Sequence, residues 1–265
     1  MAIDARYAFL QRLSREAGVR ALAFFRNRAT LTIELKGPQD FVSHADREVE
    51  AFIRAEIAAA FPDDAFLGEE SAGDPTATER LWIVDPIDGT TNFLRGLAYW
   101  NVSIAFVENG VRILGAICDP VHGELFHARR GHGAWRVDGF GVHRLQAAAT
   151  PTLLGATVAV GHHDRHPESW FASVRDALQA RGAAYRNFGA AALQLAHVAE
   201  GRLDAFVERE LSAWDAMAGL LLVDEAGGYT APFPGPAGLA ARAPVIATGP
   251  GVAAEVAAIV AAARC

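Results

Sequence analysis

Apolar and polar positions change period several times along this chain, and each change marks an element. Between residues 4 and 28, Phe9, Leu13, Ala17, Val19 and Leu22 recur at roughly helical spacing with arginines between them, which predicts an amphipathic opening helix. LTIELK at 31–36 alternates as a strand does, and Lys36, Gly37 and Pro38 are expected to break it. Ser43 offers a hydroxyl to the orphan backbone donors of a second helix running to about Ala60, with FPDD at 61–64 as its stop. AFLGEES and RLWIVDPID read as two buried strands that both finish in acids, after which GTTNF opens a short helix.

From Tyr99 to Val142, the strands WNVSIAFV, VRILGAICD, GELFHARR and GAWRVDG follow one another across Gly, Pro or Asn turns, the pattern of an antiparallel meander. After about Thr150 the texture alternates: GATVAVG, a helix near 167–181, AAYRNF, a helix near 190–200, LDAFVE, a helix near 214–226, APVIAT and a last helix. QAAATPT marks the expected boundary between an N-terminal α+β half (1–148) and a C-terminal α/β half (149–265). PFPGPAG at 232–238 is read as a loop within the second half.

Bulk properties narrow the function classes. With 265 residues and 51% hydrophobic content the chain can bury a sizeable core. A net charge of -7 argues against nucleic acid or anionic membrane as a nonspecific partner, since phosphate-tracking surfaces are basic. MAIDARYAFL lacks the pattern of a secretory signal, so a cytoplasmic location is the expectation. GVAAEVAAIVAAARC is short for a membrane span and carries Glu255, and reads as a core-facing final helix. Cys118 lies in an apolar stretch and Cys265 is terminal, so no disulfide framework is expected.

The candidate chemistry lies in three segments that end apolar runs in acids: LGEE (Glu69, Glu70), IVDPID (Asp85, Asp88) and AWDAMAG (Asp215). Strand ends converge on crevices in layered α/β proteins, so these carboxylates can face one cavity. Pro86 is expected to stop the ladder after Asp85, turning both acids inward and freeing the Ile87 carbonyl. Oxygen donors without nearby His or Cys suit Mg²⁺ or Mn²⁺ rather than zinc. Two like charges about 5 Å apart repel by roughly 3 kcal/mol at an effective dielectric near 20, so a bare cluster would be strained or partly protonated. Taken singly, each acid reads equally well as a helix cap or a surface salt-bridge partner. Asp63 and Asp64, in a proline loop, are expected to be solvated. Gly89, Thr90 and Thr91 follow Asp88 directly, where close backbone approach and free helix N–H groups suit a phosphate.

These residues resemble the inositol monophosphatase superfamily of Mg²⁺-dependent, lithium-sensitive phosphatases. The resemblance rests on KGPQDFVSHAD (36–46), FLGEES (66–71), WIVDPIDGTTNF (82–93), GAAALQLAHVAEGRLDAFVE (189–208) and WDAMAGLLLVDEAGG (214–228). It implies a layered α-β-α-β-α sandwich, of the α/β (α+β) class, usually a homodimer, with the site between the two halves. It further implies that Glu69, Asp85 and the Ile87 carbonyl hold a first Mg²⁺, that Asp85, Asp88 and Asp215 hold a second, and that a weaker third ion lies by Glu69. Mn²⁺ would substitute and Li⁺ inhibit. Asp46 and Thr90 would orient the attacking water, with no covalent phosphoenzyme, and two cations would clamp the in-line displacement.

The resemblance also places substrate contacts at Ala191, Asp204 and Glu208. The chain departs at Ala190, where many relatives carry Ser or Thr; losing that hydroxyl removes one hydrogen bond, typically about 0.5–1.5 kcal/mol net. The expected substrate is a small phosphate monoester of the inositol-1-phosphate type, the alternatives being histidinol phosphate, a sugar phosphate or a nucleotide. A further alternative is a regulatory or RNA-machinery partner with secondary phosphatase activity. Lys36, the only lysine, is a supporting electrostatic residue, as is Glu70. HHDRH at 162–166 reads as a solvated or capping loop rather than a metal tract, and ARRGHGAWR at 128–136 as a hairpin.

Overall fold

The computed structural model describes every residue except 1, 31–32, 38–39, 72–78, 163–167, 235–237 and 264–265. In chain order it shows helix α1 (Ala2–Arg26), a hairpin of β1 (Ile33–Gly37) and β2 (Asp40–Ser43), α2 (His44–Ala60), β3 (Ala65–Gly68), β4 (Arg80–Asp88) and α3 (Thr90–Arg95). The meander follows as β5 (Asn101–Glu108), β6 (Val111–Asp119), β7 (Glu124–Arg129), β8 (Ala134–Asp138) and β9 (Gly141–Arg144). The remainder is β10 (Thr157–Val160), α4 (Glu168–Ala180), β11 (Ala184–Arg186), α5 (Ala191–Glu200), β12 (Ala205–Leu211), α6 (Ala213–Glu225), β13 (Tyr229–Thr230), β14 (Ala243–Thr248) and α7 (Ala253–Ala262).

Strands β3 to β9 form one seven-stranded sheet in sequence order, with β3 and β4 parallel and every other pair antiparallel. The second sheet has the order β11-β10-β12-β14-β13. Helices α1 and α2 pack on one face of the first sheet, α5 and α6 lie between the sheets, and α4 and α7 cover the far face of the second. The result is a layered α-β-α-β-α sandwich.

The layering explains why IVDPID follows such a continuous apolar run. Strand β4 sends Trp82 and Val84 into the core under α1 and α2, and Leu81 and Ile83 into the core against α5 and α6. A strand covered on both faces has no polar alternation to show. Trp82 alone packs with Phe9, Phe61 and Phe106, and burying a side chain of that size contributes about 1.5–3 kcal/mol. Helix α6 lies so close to the meander that a Cβ at Gly115 would stand 2.8 Å from the Ala218 carbonyl oxygen.

Several details differ from expectation. Lys36 and Gly37 continue β1, which pairs antiparallel with β2, Gly37 opposite Asp40; Pro38 lies outside the described residues. Val19 is 68% exposed because the buried stripe of α1 is Leu10, Leu13, Ala17 and Ala21. The short strands β9 and β13, four and two residues long, offer too little periodicity to be seen in sequence. The largest correction concerns Asp64, which is not solvated: its carboxylate is fully buried against Arg6. The final helix does face the core, through Val256 and Ile259, and Cys118 is a buried free thiol. Among the described residues, no helix is long and apolar enough to cross a membrane.

Candidate active site

Two acids three positions apart on a regular strand point to opposite faces. Strand β4 escapes that rule through a bulge: Asp85 pairs with Ser103 and Asp88 with Asn101, so three steps on β4 oppose two on β5. The ladder is therefore interrupted at Pro86 and Ile87 but not stopped, because the extra residue absorbs the missing proline N–H and pairing resumes at Asp88. The bulge also brings the two acids to one side. Asp85 Oδ1 accepts the Ile87 N–H at 3.0 Å, and the Ile87 carbonyl, released from the ladder, accepts the Thr90 hydroxyl at 3.0 Å.

Two further acids arrive by a shared device. Asp46 is the third residue of α2 behind the N-cap Ser43, and Asp215 is the third residue of α6 behind the N-cap Ser212. Each carboxylate reaches back to the cap backbone, the Ser43 N–H donating to Asp46 at 2.8 Å and the Ser212 N–H to Asp215 at 2.9 Å. The Ser43 hydroxyl also donates to Asp46 at 2.6 Å. Asp46 then faces Thr90, whose hydroxyl lies 3.3 Å from Asp46 Oδ1. That hydroxyl has one proton to share between Asp46 and the Ile87 carbonyl. Ser103, opposite Asp85 in the ladder, donates to the Trp214 carbonyl at 3.2 Å, which joins the strand bearing Asp85 to the helix bearing Asp215.

Carboxylate oxygens of Asp85, Asp88 and Asp215 converge within 4.8 Å of one another. At an effective dielectric near 20, each pair at that distance repels by about 3 kcal/mol when both are ionised. Burial raises all three pKa values. Asp85 is pushed well above the usual carboxylate range by burial and then by Glu69, Asp88 and Asp215. Asp215 rises to about 8 through burial and the charge of Asp88. Asp88 rises to about 6, burial being partly offset by donors from Asn101, Ala192 and Ala191. The donor set is oxygen throughout and crowded, which fits a hard divalent ion.

The other expected site residues fall differently. Glu69 lines the same cavity as Asp88 and Asp215. Glu70 donates its N–H to the buried Glu50 at 2.8 Å and does not line that cavity. Gly89 is the left-handed N-cap of α3 (φ 89°), beside Thr90. Ala191 and Glu208 line the cavity, Glu208 so close to Gly161 that a Cβ there would stand 2.0 Å from its carboxylate. Asp204, expected to meet substrate, lies elsewhere. It precedes β12 at the end away from the cavity, and its carboxylate accepts the Thr157 N–H at 2.7 Å, tying that strand to β10. The side chain of Lys36 lies outside the described residues, as do residues 163–166 of the HHDRH segment.

The cavity measures about 210 Å³. His162, Asn187, Gln194, Glu210 and Arg242 also line it. None of these was predicted from sequence: Gln194 lies within the apolar helix α5 and Glu210 near the end of β12, with no local pattern that marks them. Within HHDRH, His162 is the histidine that lies among the described residues; it lines the cavity, 3.4 Å from Glu168.

The model of the Inositol monophosphatase family matches residues 3–264. The chain belongs to that family. It is 43% identical over 209 residues to an inositol-1-monophosphatase of Mesorhizobium japonicum, covering 77% of each chain. It is 39% identical over 225 residues to the Nus factor SuhB of Xylella fastidiosa, covering 84% of this chain and 80% of that one. Among solved structures, the Thermotoga maritima IMPase superposes with a TM-score of 0.85 at 32% identity over 97% of both chains. The extragenic suppressor protein suhB of Bartonella henselae gives 0.89 at 33% identity, over 98% of this chain and 100% of that one. The chain is thus a phosphatase of the inositol monophosphatase family, with a cluster of acids able to hold metal.

Proposed function

We propose that the chain hydrolyses a small phosphate monoester, of the inositol-1-phosphate type, with Mg²⁺ held by Glu69, Asp85, Asp88, Asp215 and the Ile87 carbonyl. The observation that carries this reading is the convergence of Asp85, Asp88 and Asp215 within 4.8 Å. Two or three Mg²⁺ ions, or Mn²⁺, would supply Lewis acidity and a bound water of lowered pKa, and Li⁺ is expected to inhibit. Asp46 and Thr90 orient that water: Asp46 is fixed by Ser43, and the Thr90 hydroxyl hangs between Asp46 and the Ile87 carbonyl. Gly89 and Thr90, at the start of α3, offer backbone donors to the phosphoryl group. Glu208, which lines the same cavity, accepts from a hydroxyl of the leaving alcohol.

The cavity wall beyond the acids is polar, with His162, Asn187 and Arg242 among its lining residues. Ala190 supplies no hydroxyl there, so histidinol, sugar and nucleotide monophosphates belong in the test beside inositol phosphates. Phosphate release across that panel, with Mg²⁺ and with chelator, decides the matter. Chelator-sensitive turnover of at least one ester is expected, and its absence throughout would overturn the reading. Such an absence would favour the second reading, a partner of RNA machinery, which rests on relatives named Nus factor SuhB.

A further inference from the structure

Asp88 is held more tightly than a metal ligand needs to be. Its Oδ1 accepts the Ala191 N–H at 3.1 Å; its Oδ2 accepts both the Ala192 N–H at 2.8 Å and the Asn101 side-chain amide at 2.6 Å. A carboxylate offers about four lone-pair positions, two on each oxygen. Both positions on Oδ2 are filled, and the Leu193 N–H adds to the donors that hold this carboxylate. Ala190, the N-cap of α5, has no side-chain acceptor, so Asp88 reaches across from the other sheet to cap that helix.

Asn101 is the unusual member of this arrangement. It is fully buried at the start of an apolar strand, in direct register with Asp88, and its Oδ1 meets no donor among the described residues. Turning the amide over would set Oδ1 against Asp88 Oδ2, acceptor against acceptor at 2.6 Å. The amide is therefore oriented by Asp88 alone, and a buried group left half satisfied calls for a reason. Capping α5 does not supply one, since the Ala191 and Ala192 N–H groups already meet Asp88 without it.

We propose that Asn101 is a positioning residue for the metal site: its amide occupies Oδ2 and fixes the orientation in which Asp88 meets a divalent cation. This rests on the reading that Asp88 binds metal. Groups that orient ligating carboxylates typically change metal affinity about 10- to 100-fold when removed.

The test is Mn²⁺ binding to the metal-free full chain, followed by electron paramagnetic resonance of the free ion, for wild type, Asn101→Leu and Asp88→Asn. Leucine keeps the branching of asparagine and removes the donor but is bulkier; Asn101→Ala serves if leucine prevents folding, as judged by thermal unfolding in chelator. The expected result is binding weakened about 10- to 100-fold in the Asn101 variant, with KM at saturating metal changed by less than about twofold. A lower unfolding temperature with wild-type Mn²⁺ affinity would make Asn101 a packing residue and overturn the proposal. If Asp88→Asn loses binding while the Asn101 variant keeps it, only the positioning role fails. If Asp88→Asn also binds as wild type does, the metal reading itself fails.

Discussion

Buried carboxylates occur at two places along β4, and they are neutralised in opposite ways. Near the start of the strand, Asp64 receives a fork from Arg6, Nε and Nη2 each at 2.8 Å, together with the Trp82 indole N–H at 3.0 Å and Arg80 at 3.5 Å. At its end, Asp85, Asp88 and Asp215 gather within 4.8 Å and, among the described residues, none forms an ion pair with an arginine. The charge of Asp64 is settled within the chain. The second group crowds three acids together and shifts all three toward protonation. A carboxylate with its own arginine is fold architecture; carboxylates without one are an invitation to a cation from solution.

The largest expected effect comes from breaking the second group. Asp88→Asn should lower phosphate release more than about 100-fold, beyond the usual range for residues that only orient a ligand, while circular dichroism shows the fold intact. Turnover within about threefold of wild type would remove Asp88 from the site. Breaking the first group should do the reverse. Arg6→Leu leaves Asp64 short of its main partner and should cost about 3–5 kcal/mol in urea unfolding, with kcat per folded molecule unchanged.

A subtler difference is how the second group responds to pH. Folding raises Asp88 to about 6 and Asp215 to about 8, from an ordinary aspartate value of 3.8. The folded state therefore holds protons that the unfolded chain releases, and stability falls as pH rises from about 4 through 8. A loss of about 3 kcal/mol in chelator would lower Tm by on the order of 10 °C. Mg²⁺, which binds the ionised form, should restore it, so the Tm gap between metal and chelator widens from pH 5.5 to 8. A constant gap would contradict the shifts. Buried His127 and His197, both lowered to about 4, oppose this fall below their ordinary 6.5, but equally with metal and with chelator, so they leave the gap unchanged. The smallest effect is Ser103→Ala, which removes the bond to the Trp214 carbonyl and should cost about 0.5–1.5 kcal/mol in urea unfolding.

Much of this contrast is hidden in the sequence, for a definite reason. Strand-end acids announce themselves because an apolar run before a carboxylate is a local pattern, and Ser43 before α2 is equally local. Asp64 deceives, because the arginine that buries it is 58 residues away and FPDD has every local mark of a solvated turn. The bulge at Pro86 is half legible: proline signals an interrupted ladder, but only the register against Ser103 and Asn101 shows pairing resuming at Asp88. Asn101 reads as one more position of the strand WNVSIAFV, and nothing nearby suggests a carboxylate 13 positions earlier. The five layers came from resemblance to a family; composition and periodicity by themselves reach only as far as a meander followed by alternating strands and helices. Asp204 shows that reliance failing at a single residue, its carboxylate being taken by Thr157.

The decisive measurement is anomalous scattering from crystals of the full chain grown with Mn²⁺. Peaks about 2.2 Å from oxygens of Asp85, Asp88 and Asp215 are predicted, together with their loss in Asp88→Asn. An arginine side chain filling that space, or no manganese between the three acids, would contradict the account.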